Sequence, residues 1–395
     1  MEQVKIPPEE LAGRRQRLQR LMREQGLGGA LIVQRADLYY FSGTAQEGHL
    51  FIPVEGEPRL LVRRSLERAR SESSLRQIYP FAGWDDLAAT VKEMSAPGAP
   101  VGLELDVLPV NIFRRYEKII APLEAADVSP LVRSVRAVKS PYELEQLQRA
   151  AALGEAVFNH ARKICREGMR EIELAAALEA FARARGHQGA VRMRGFNQEL
   201  FFSHTMAGAS AAVPSFFNGP TGGRGLNLSY PQGAGFRRIE RGEPILIDFV
   251  TVLNGYMVDQ TRVFCLGRPA EKLQRAYETA LQIKEALAEL GREGVVAADL
   301  YRRAEEMAAA AGLAEHFMGA AEKVYFVGHG VGLELDELPV IARSSHAALA
   351  EGMVVALEPK FVFPGDGTVG IEDTFVVHRR GLEQITRFDD SLQIL

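Results

Sequence analysis

Apolar residues between positions 11 and 24 recur at the three-to-four-residue spacing of a helix. Short apolar runs follow at 29–33, 49–52, 59–62 and 101–104, each of strand length. This mixture predicts an α/β module at the start of the chain. Its charged residues show no spacing for shared chemistry, so no catalytic role is assigned to it.

The pattern restarts near 134–141. Ser140 can cap a helix, Pro141 suits the first helical position because its missing N–H would be unsatisfied there anyway, and Glu143 completes a capping box. Leu144, Leu147, Ala151, Leu153, Ala156 and Phe158 keep helical spacing to about Gly168, and a second helix is expected over 171–185. This boundary divides the chain into domains 1–135 and 136–395. Residues 192–235 then shift to Gly, Ser, Asn, Pro and aromatics, including the run from Asn218 to Gly225, a composition that favours turns. Alone, such a stretch is a surface loop; beside a site it is a candidate binding loop. Strands over 244–250 and 256–264 flank Asn254-Gly255, a pair suited to a tight hairpin. Helices over 271–290 and 297–311 and short strands over 324–377 complete a second domain of α+β class.

A chain of 395 residues is longer than one hydrophobic core usually serves, in keeping with two domains. The 47% hydrophobic and 25% charged content is ordinary for a globular protein, which confines expected disorder to the first few residues. A net charge of -4, with Lys and Arg scattered among the acids, excludes nucleic acid as a partner class. Positions 1–8 lack the apolar stretch of a targeting peptide, and no later run approaches the length of a membrane span. A cytoplasmic protein without membrane contact is expected. Cys165 and Cys265 are too few for a disulfide framework and read as small buried hydrophobes.

Candidate chemistry gathers in the second domain. Asp248 ends the apolar run 244–247, and Asp259 lies beyond the Asn-Gly turn, so two carboxylates on paired strands can face one cavity. An Asp within an apolar strand is costly to bury without a cation or several donors, although Asp248 alone would be read as a strand-end acid bonding turn backbone. His329 sits in Gly328-His-Gly-Val-Gly332, where missing side chains admit backbone or ligand. Glu358 follows the apolar run 353–357, and Glu372 follows Gly370-Ile371. Each is weak evidence singly. Together, one imidazole and four carboxylates suit Mn, Fe, Co or Zn, and bridging carboxylates can hold two divalent ions about 3.5 Å apart.

The ordered motifs Ile247-Asp248-Phe249, Gly255 to Arg262 with Asp259, Gly328-His329-Gly330-Val331-Gly332, Leu357-Glu358-Pro359 and Gly370-Ile371-Glu372-Asp373 resemble the pita-bread metallopeptidases. That family includes methionine aminopeptidase, aminopeptidase P and prolidase, with creatinase as a relative. The chain is most similar to the aminopeptidase P and prolidase branch, since the N-terminal module and the segment from Val138 to Glu143 share the likeness. The resemblance implies a pita-bread catalytic domain of α+β class, preceded by a smaller α/β domain that assists formation of a homodimer. It implies that Asp259, His329, Glu358 and Glu372 hold one ion, and Asp248, Asp259 and Glu372 another. It further implies a bridging hydroxide that attacks a scissile carbonyl while Glu358 takes up the proton. The implied activity is that of an Xaa-Pro aminopeptidase or dipeptidase acting on short peptides.

Two further histidines of the family are replaced here. Where one stands in His-Glu-x-Pro, this chain has Asp336-Glu337-Leu338-Pro339; where the other precedes the first Asp, it has Leu228-Ser229-Tyr230-Pro231. An ionised Asp336 would repel a developing oxyanion, at a cost on the order of several kcal/mol in a partly dry site. Two readings follow. Either the peptidase chemistry persists with His204 and Tyr230 as substitutes, or the site serves as a hydrolase or lyase of a non-peptide small molecule, with Asp336 as base or recognition group. Arg262 is expected to pair with a nearby carboxylate in a structural role.

Overall fold

The structure, a computed structural model, describes residues 4–395; the first three, where disorder is expected, lie outside the described residues. The chain folds as two compact units, residues 4–136 with 194–198, and residues 137–193 with 199–395.

The first unit contains α1 (Pro8–Glu24), β1 (Gly29–Ile32), α2 (Arg35–Ser42), β2 (Gly48–Pro53), β3 (Arg59–Val62), α3 (Leu66–Glu72), β4 (Gln77–Pro80), α4 (Trp84–Met94), β5 (Val101–Leu103), α5 (Val110–Ile120), β6 (Ala125–Asp127) and α6 (Ser129–Ala137). Its strands form one mixed sheet in the order β4-β3-β2-β1-β5-β6. β1 and β2 are buried along their whole length, which is why they read as apolar runs without alternation. Leu31, Phe51, Leu61, Leu87 and Val101 meet in the core, each burial contributing about 1.5–3 kcal/mol. Helices α2 to α5 have no counterpart in the sequence reading. They run seven to eleven residues, a length at which tertiary packing rather than local pattern decides. Residues 194–198 return to this unit because Arg194 is clamped by Asp37 at 2.7 Å and Asp106 at 2.6 Å.

The second unit opens with α7 (Pro141–Ile164) and α8 (Glu171–Arg183). The capping box at Ser140 and Glu143 forms, with reciprocal bonds of 3.2 and 3.1 Å, and α7 ends at Ile164, four residues short of Gly168, with Cys165 after it in extended conformation. There follow β7 (Ser203–Ala207), β8 (Ile245–Phe249), β9 (Thr251–Leu253), β10 (Tyr256–Val258), β11 (Thr261–Cys265), α9 (Glu271–Leu290), α10 (Ala297–Ala310), β12 (Phe326–Gly330), β13 (Glu337–Ala342), β14 (Val354–Leu357), β15 (Lys360–Phe363), β16 (Gly367–Gly370), β17 (Asp373–Val377), β18 (Leu382–Gln384) and β19 (Gln393–Ile394). The hairpin turn adopts φ of 51° at Asn254 and 87° at Gly255, the left-handed pair that a two-residue turn needs.

The strand expected over 244–250 forms as β8 with the short β9 added after it, and the strand expected over 256–264 is split into β10 and β11. β9 and β10 form a short hairpin, whereas β8 and β11 belong to a sheet of order β19-β11-β8-β7. β7 is buried throughout, although it lies within the stretch whose composition signals turns. A second sheet runs β13-β12-β14-β17-β18. The two sheets are stitched where Thr261 and Glu372 exchange backbone hydrogen bonds of 3.2 Å each way. Helices α9 and α10 pack on these strands through Tyr277, Leu287 and Leu300 against Val355 and Phe361. The first unit is thus α/β and the second α+β. Both cysteines are free, and burial pushes each thiol up to about 11. Among the described residues no helix is long and apolar enough to cross a membrane.

Candidate metal centre

Asp248 in β8 stands opposite His204 in β7 and Thr261 in β11, so its neighbours on both sides share its face of the sheet. Asp259 lies in the break between β10 and β11, where the chain leaves the hairpin. The two Asp residues therefore converge through that irregularity rather than as a direct cross-strand pair. Glu358 follows β14, and Glu372 sits between β16 and β17, at the stitch between the sheets. All four carboxylates line one cavity of about 60 Å³.

His329 enters from β12. A Cβ at Gly328 would lie 2.3 Å from the Ala356 carbonyl oxygen, and one at Gly330 would lie 2.3 Å from that of Leu338. Only glycine lets β12 slot between β13 and β14 with the imidazole between them. His329 Nδ1 is 3.2 Å from both the Gly330 and Leu335 carbonyl oxygens. Carbonyls only accept, so Nδ1 carries the proton and Nε2 keeps its lone pair. That lone pair faces Glu358 Oε1 and Glu372 Oε1, each 3.8 Å away, and Asp259 Oδ2 at 4.0 Å. Two ligands each about 2.1 Å from one ion lie at most about 4.2 Å apart, so these spacings fit a shared divalent ion. Glu372 Oε1 is buried and has no hydrogen-bond partner, an orphaned acceptor aimed at the same point. The turn after β12 is held by the Glu337 carboxylate, which accepts from Leu333 N at 2.9 Å, Glu334 N at 3.2 Å and Lys139 Nζ at 3.1 Å.

The electrostatics call for a cation. Burial pushes the Glu372 carboxyl up to about 8, Lys360 only partly opposing it. Asp259 is raised well above the carboxylate range by burial and then by Glu372 and Asp248 beside it. For His329, burial works downward, but Asp336, Glu358 and Glu372 outweigh it and leave the ring more basic than usual. Burial takes His204 down to about 4 despite the pull of Asp248, so this ring is neutral.

One group in this cluster escaped the sequence reading. Lys360, 1% exposed, extends from β15 and donates to Glu358 Oε2 at 2.7 Å, Glu372 Oε2 at 2.8 Å and Asp248 Oδ2 at 3.2 Å. Burial disfavours its charge, but Asp248, Glu358 and Glu372 raise its pKa well above the usual lysine value. A signal was available: Lys360 interrupts the run Pro359-Lys360-Phe361-Val362-Phe363 and lies two positions after Glu358, hence on the same side of an extended chain.

The remaining candidates separate. His204 is in the cavity wall, and neither ring nitrogen makes a hydrogen bond. Asp336 also lines the cavity, but its side chain is 46% exposed and its Oδ1 lies 3.6 Å from His329 Nδ1, on the far side of the ring from the carboxylates. Tyr230 is not part of the cavity wall. Its hydroxyl donates to the Glu199 carbonyl at 3.2 Å, and it is Gln232, two residues on, whose buried and unpaired amide faces the cavity. The candidate loop contributes Asn218, Gly219, Pro220 and Thr221. Arg262 lies behind the site, 2.9 Å from Asp373 and 2.7 Å from Asp390.

The family model described as metallopeptidase family M24 matches residues 145–379, which hold the four carboxylates, His329 and every residue of the cavity wall. The chain belongs to family M24. A creatinase/prolidase N-terminal domain model matches residues 14–138. This M24 member is similar to an Xaa-Pro dipeptidase of Pyrococcus furiosus, 28% identical over 381 residues that cover 96% of this chain and 99% of that protein. Among solved structures it is similar to the Xaa-Pro dipeptidase of Bacillus anthracis, with a TM-score of 0.84 at 27% identity, covering 98% of this chain and 100% of that one. It is also similar to the prolidase of Pyrococcus horikoshii, with a TM-score of 0.80 at 26% identity, covering 95% and 99%. Membership makes the protein a metallopeptidase that takes divalent metal, as the fit of the His329 cluster requires.

Proposed function

We propose that this M24 enzyme is an Xaa-Pro exopeptidase that hydrolyses the N-terminal bond of short peptides ending or continuing with proline. The observation that carries the reading is a buried imidazole and carboxylate cluster at the floor of a small, apolar-walled cavity, in a chain similar over its full length to Xaa-Pro dipeptidases. Leu200, Phe201, Phe217 and Phe326 give the cavity walls on which a proline ring can pack.

Asp259, His329, Glu358 and Glu372 are the residues we assign to the metal, which when bound polarises the scissile carbonyl and activates water. A ligand set rich in oxygen with one imidazole suits Mn, Fe, Co or Zn. To Glu358 we assign acceptance of the proton of the attacking water and its return to the leaving amine. His204, neutral and unpaired in the cavity wall, supplies an N–H for the substrate carbonyl as it gains negative charge. Gln232 takes the substrate-facing role that the segment around Tyr230 is expected to fill. Asp336 sits at the exposed rim, where it can meet a substrate amine. We further place the enzyme in the cytoplasm, consistent with its free cysteines, as a homodimer whose mass sedimentation would measure.

The test is a panel of Xaa-Pro dipeptides, Xaa-Pro-Xaa tripeptides and proline-free controls, with metal-stripped protein and Mn, Co or Zn added back. Metal-dependent release of the N-terminal residue from proline peptides alone is the expected result. Metal binding without turnover anywhere in the panel would overturn it and turn attention to non-peptide C–N bonds with Asp336 as base.

A further inference from the structure

The Lys360 ammonium bonds Asp248 and Glu372, two of the three residues to which the family resemblance assigns a second ion. An ammonium has three N–H donors, and each meets a different carboxylate, on Glu358, Glu372 and Asp248. Glu358 and Glu372 are each divided in the same way. Their Oε1 atoms face His329 Nε2 at 3.8 Å, while their Oε2 atoms accept from Lys360 at 2.7 and 2.8 Å. Both carboxylates therefore bridge two cation positions, one fitted to a divalent ion and one already filled by a side chain.

The surroundings are built for this arrangement. Gly370 pairs with Lys360 across β15 and β16, and a Cβ there would lie 2.5 Å from the Pro359 carbonyl oxygen and 2.7 Å from Lys360 Cα, so the glycine lets the two strands pack closely beside the lysine. The lysine is 1% exposed. Withdrawing it to admit another ion would take a buried ammonium away from its three carboxylate partners. Asp248 Oδ2 accepts from Lys360, and Asp248 is not one of the three residues, Asp259, His329 and Glu372, whose ligand atoms converge.

We propose that Lys360 is a built-in substitute for one of two metal ions, so that each chain binds one divalent ion, at Asp259, His329, Glu358 and Glu372. The proposal rests on the metal-dependent reading above and narrows it. With all three donors engaged, the ammonium has none left for substrate. Lys360 is a positioning residue that neutralises the Asp248 side of the site and holds the orientation of Glu358.

The test is metal content of the full-length protein, stripped, dialysed against Mn²⁺ and read by elemental analysis and electron paramagnetic resonance. Wild type should hold one Mn²⁺ per chain with the six-line spectrum of an isolated ion. Lys360→Gly should hold two, with the broadened signal of spin-coupled ions. Two ions in wild type, or one in both proteins, would overturn the proposal and leave the metallopeptidase reading standing. No ion in wild type would overturn both. Should Lys360→Gly fail to fold, Asp248→Asn decides: the proposal requires it to keep one ion with affinity within about tenfold of wild type, and loss of that ion would overturn it. His329→Ala should lose the ion in either background.

Discussion

Replacing Glu337 should weaken both the fold and the metal centre, because one carboxylate serves both. It accepts two backbone N–H groups in the turn after β12 and pairs with Lys139, whose side chain is 1% exposed. Glu337→Ala leaves the buried Lys139 ammonium with only the Ala137 carbonyl in place of a carboxylate, and removes the acceptor of two amides. Breaking a buried pair from one side costs on the order of 3–5 kcal/mol. At about 2–4 °C per kcal/mol for a domain of this size, melting should fall by roughly 6–20 °C. The same turn carries the Leu335 carbonyl that accepts from His329 Nδ1 at 3.2 Å. Loss of such an outer hydrogen bond typically costs about 10–100-fold in metal affinity. Urea melts of apo protein and Mn²⁺ titrations read the two effects separately. Lys139→Met added to Glu337→Gln should recover stability, since no unpaired charge then stays buried. A Glu337→Ala protein that melts within about 1 kcal/mol of wild type and binds Mn²⁺ equally well would refute the reasoning.

A pH prediction concerns His49 in the first unit, which burial, reinforced by Arg63, takes down to about 4. The unfolded ring binds a proton near pH 6.5, so between pH 6.5 and 4 the unfolded chain holds more protons and stability rises with pH; acidification across that window should cost about 3 kcal/mol. Trp84, the single tryptophan, has its ring 5.6 Å from His49 and reports the melts by fluorescence, and a slope no shallower in His49→Gln would contradict the assignment. Gln232→Leu should leave stability unchanged or higher, because it removes a buried amide with both polar atoms unpaired, while lowering kcat/KM on Xaa-Pro peptides by about tenfold. A loss of stability with unchanged kinetics would show that the amide serves the fold instead.

Much of the second unit is legible because its signals are local. The capping box at Ser140, the Asn254-Gly255 turn and the periodicity of α9 and α10 each depend on residues a few positions apart, and each forms as expected. The glycines of 328–332 also announce themselves, since closely spaced strands exclude a Cβ. The short helices of the first unit and the buried strand β7 are not legible. Their polar or turn-forming compositions are overruled by packing against neighbours distant in sequence.

The five metal-ligand candidates could be named from sequence because carboxylates and an imidazole set in apolar runs are costly without a cation. Which of them face one ion, which face an ammonium, and whether Tyr230 or Gln232 reaches the cavity depend on register and on the path of side chains through the interior. Lys360 shows the difference most clearly. Its charge and its place in an apolar strand are plain in the sequence, but its meeting with Asp248, Glu358 and Glu372 exists only when β8, β14 and β16 are assembled. Residue chemistry and short-range spacing were thus enough to say that a cation belongs here. Only the tertiary structure could say that the chain supplies one itself, because separations of 12 and 112 residues collapse to hydrogen-bond length solely on folding.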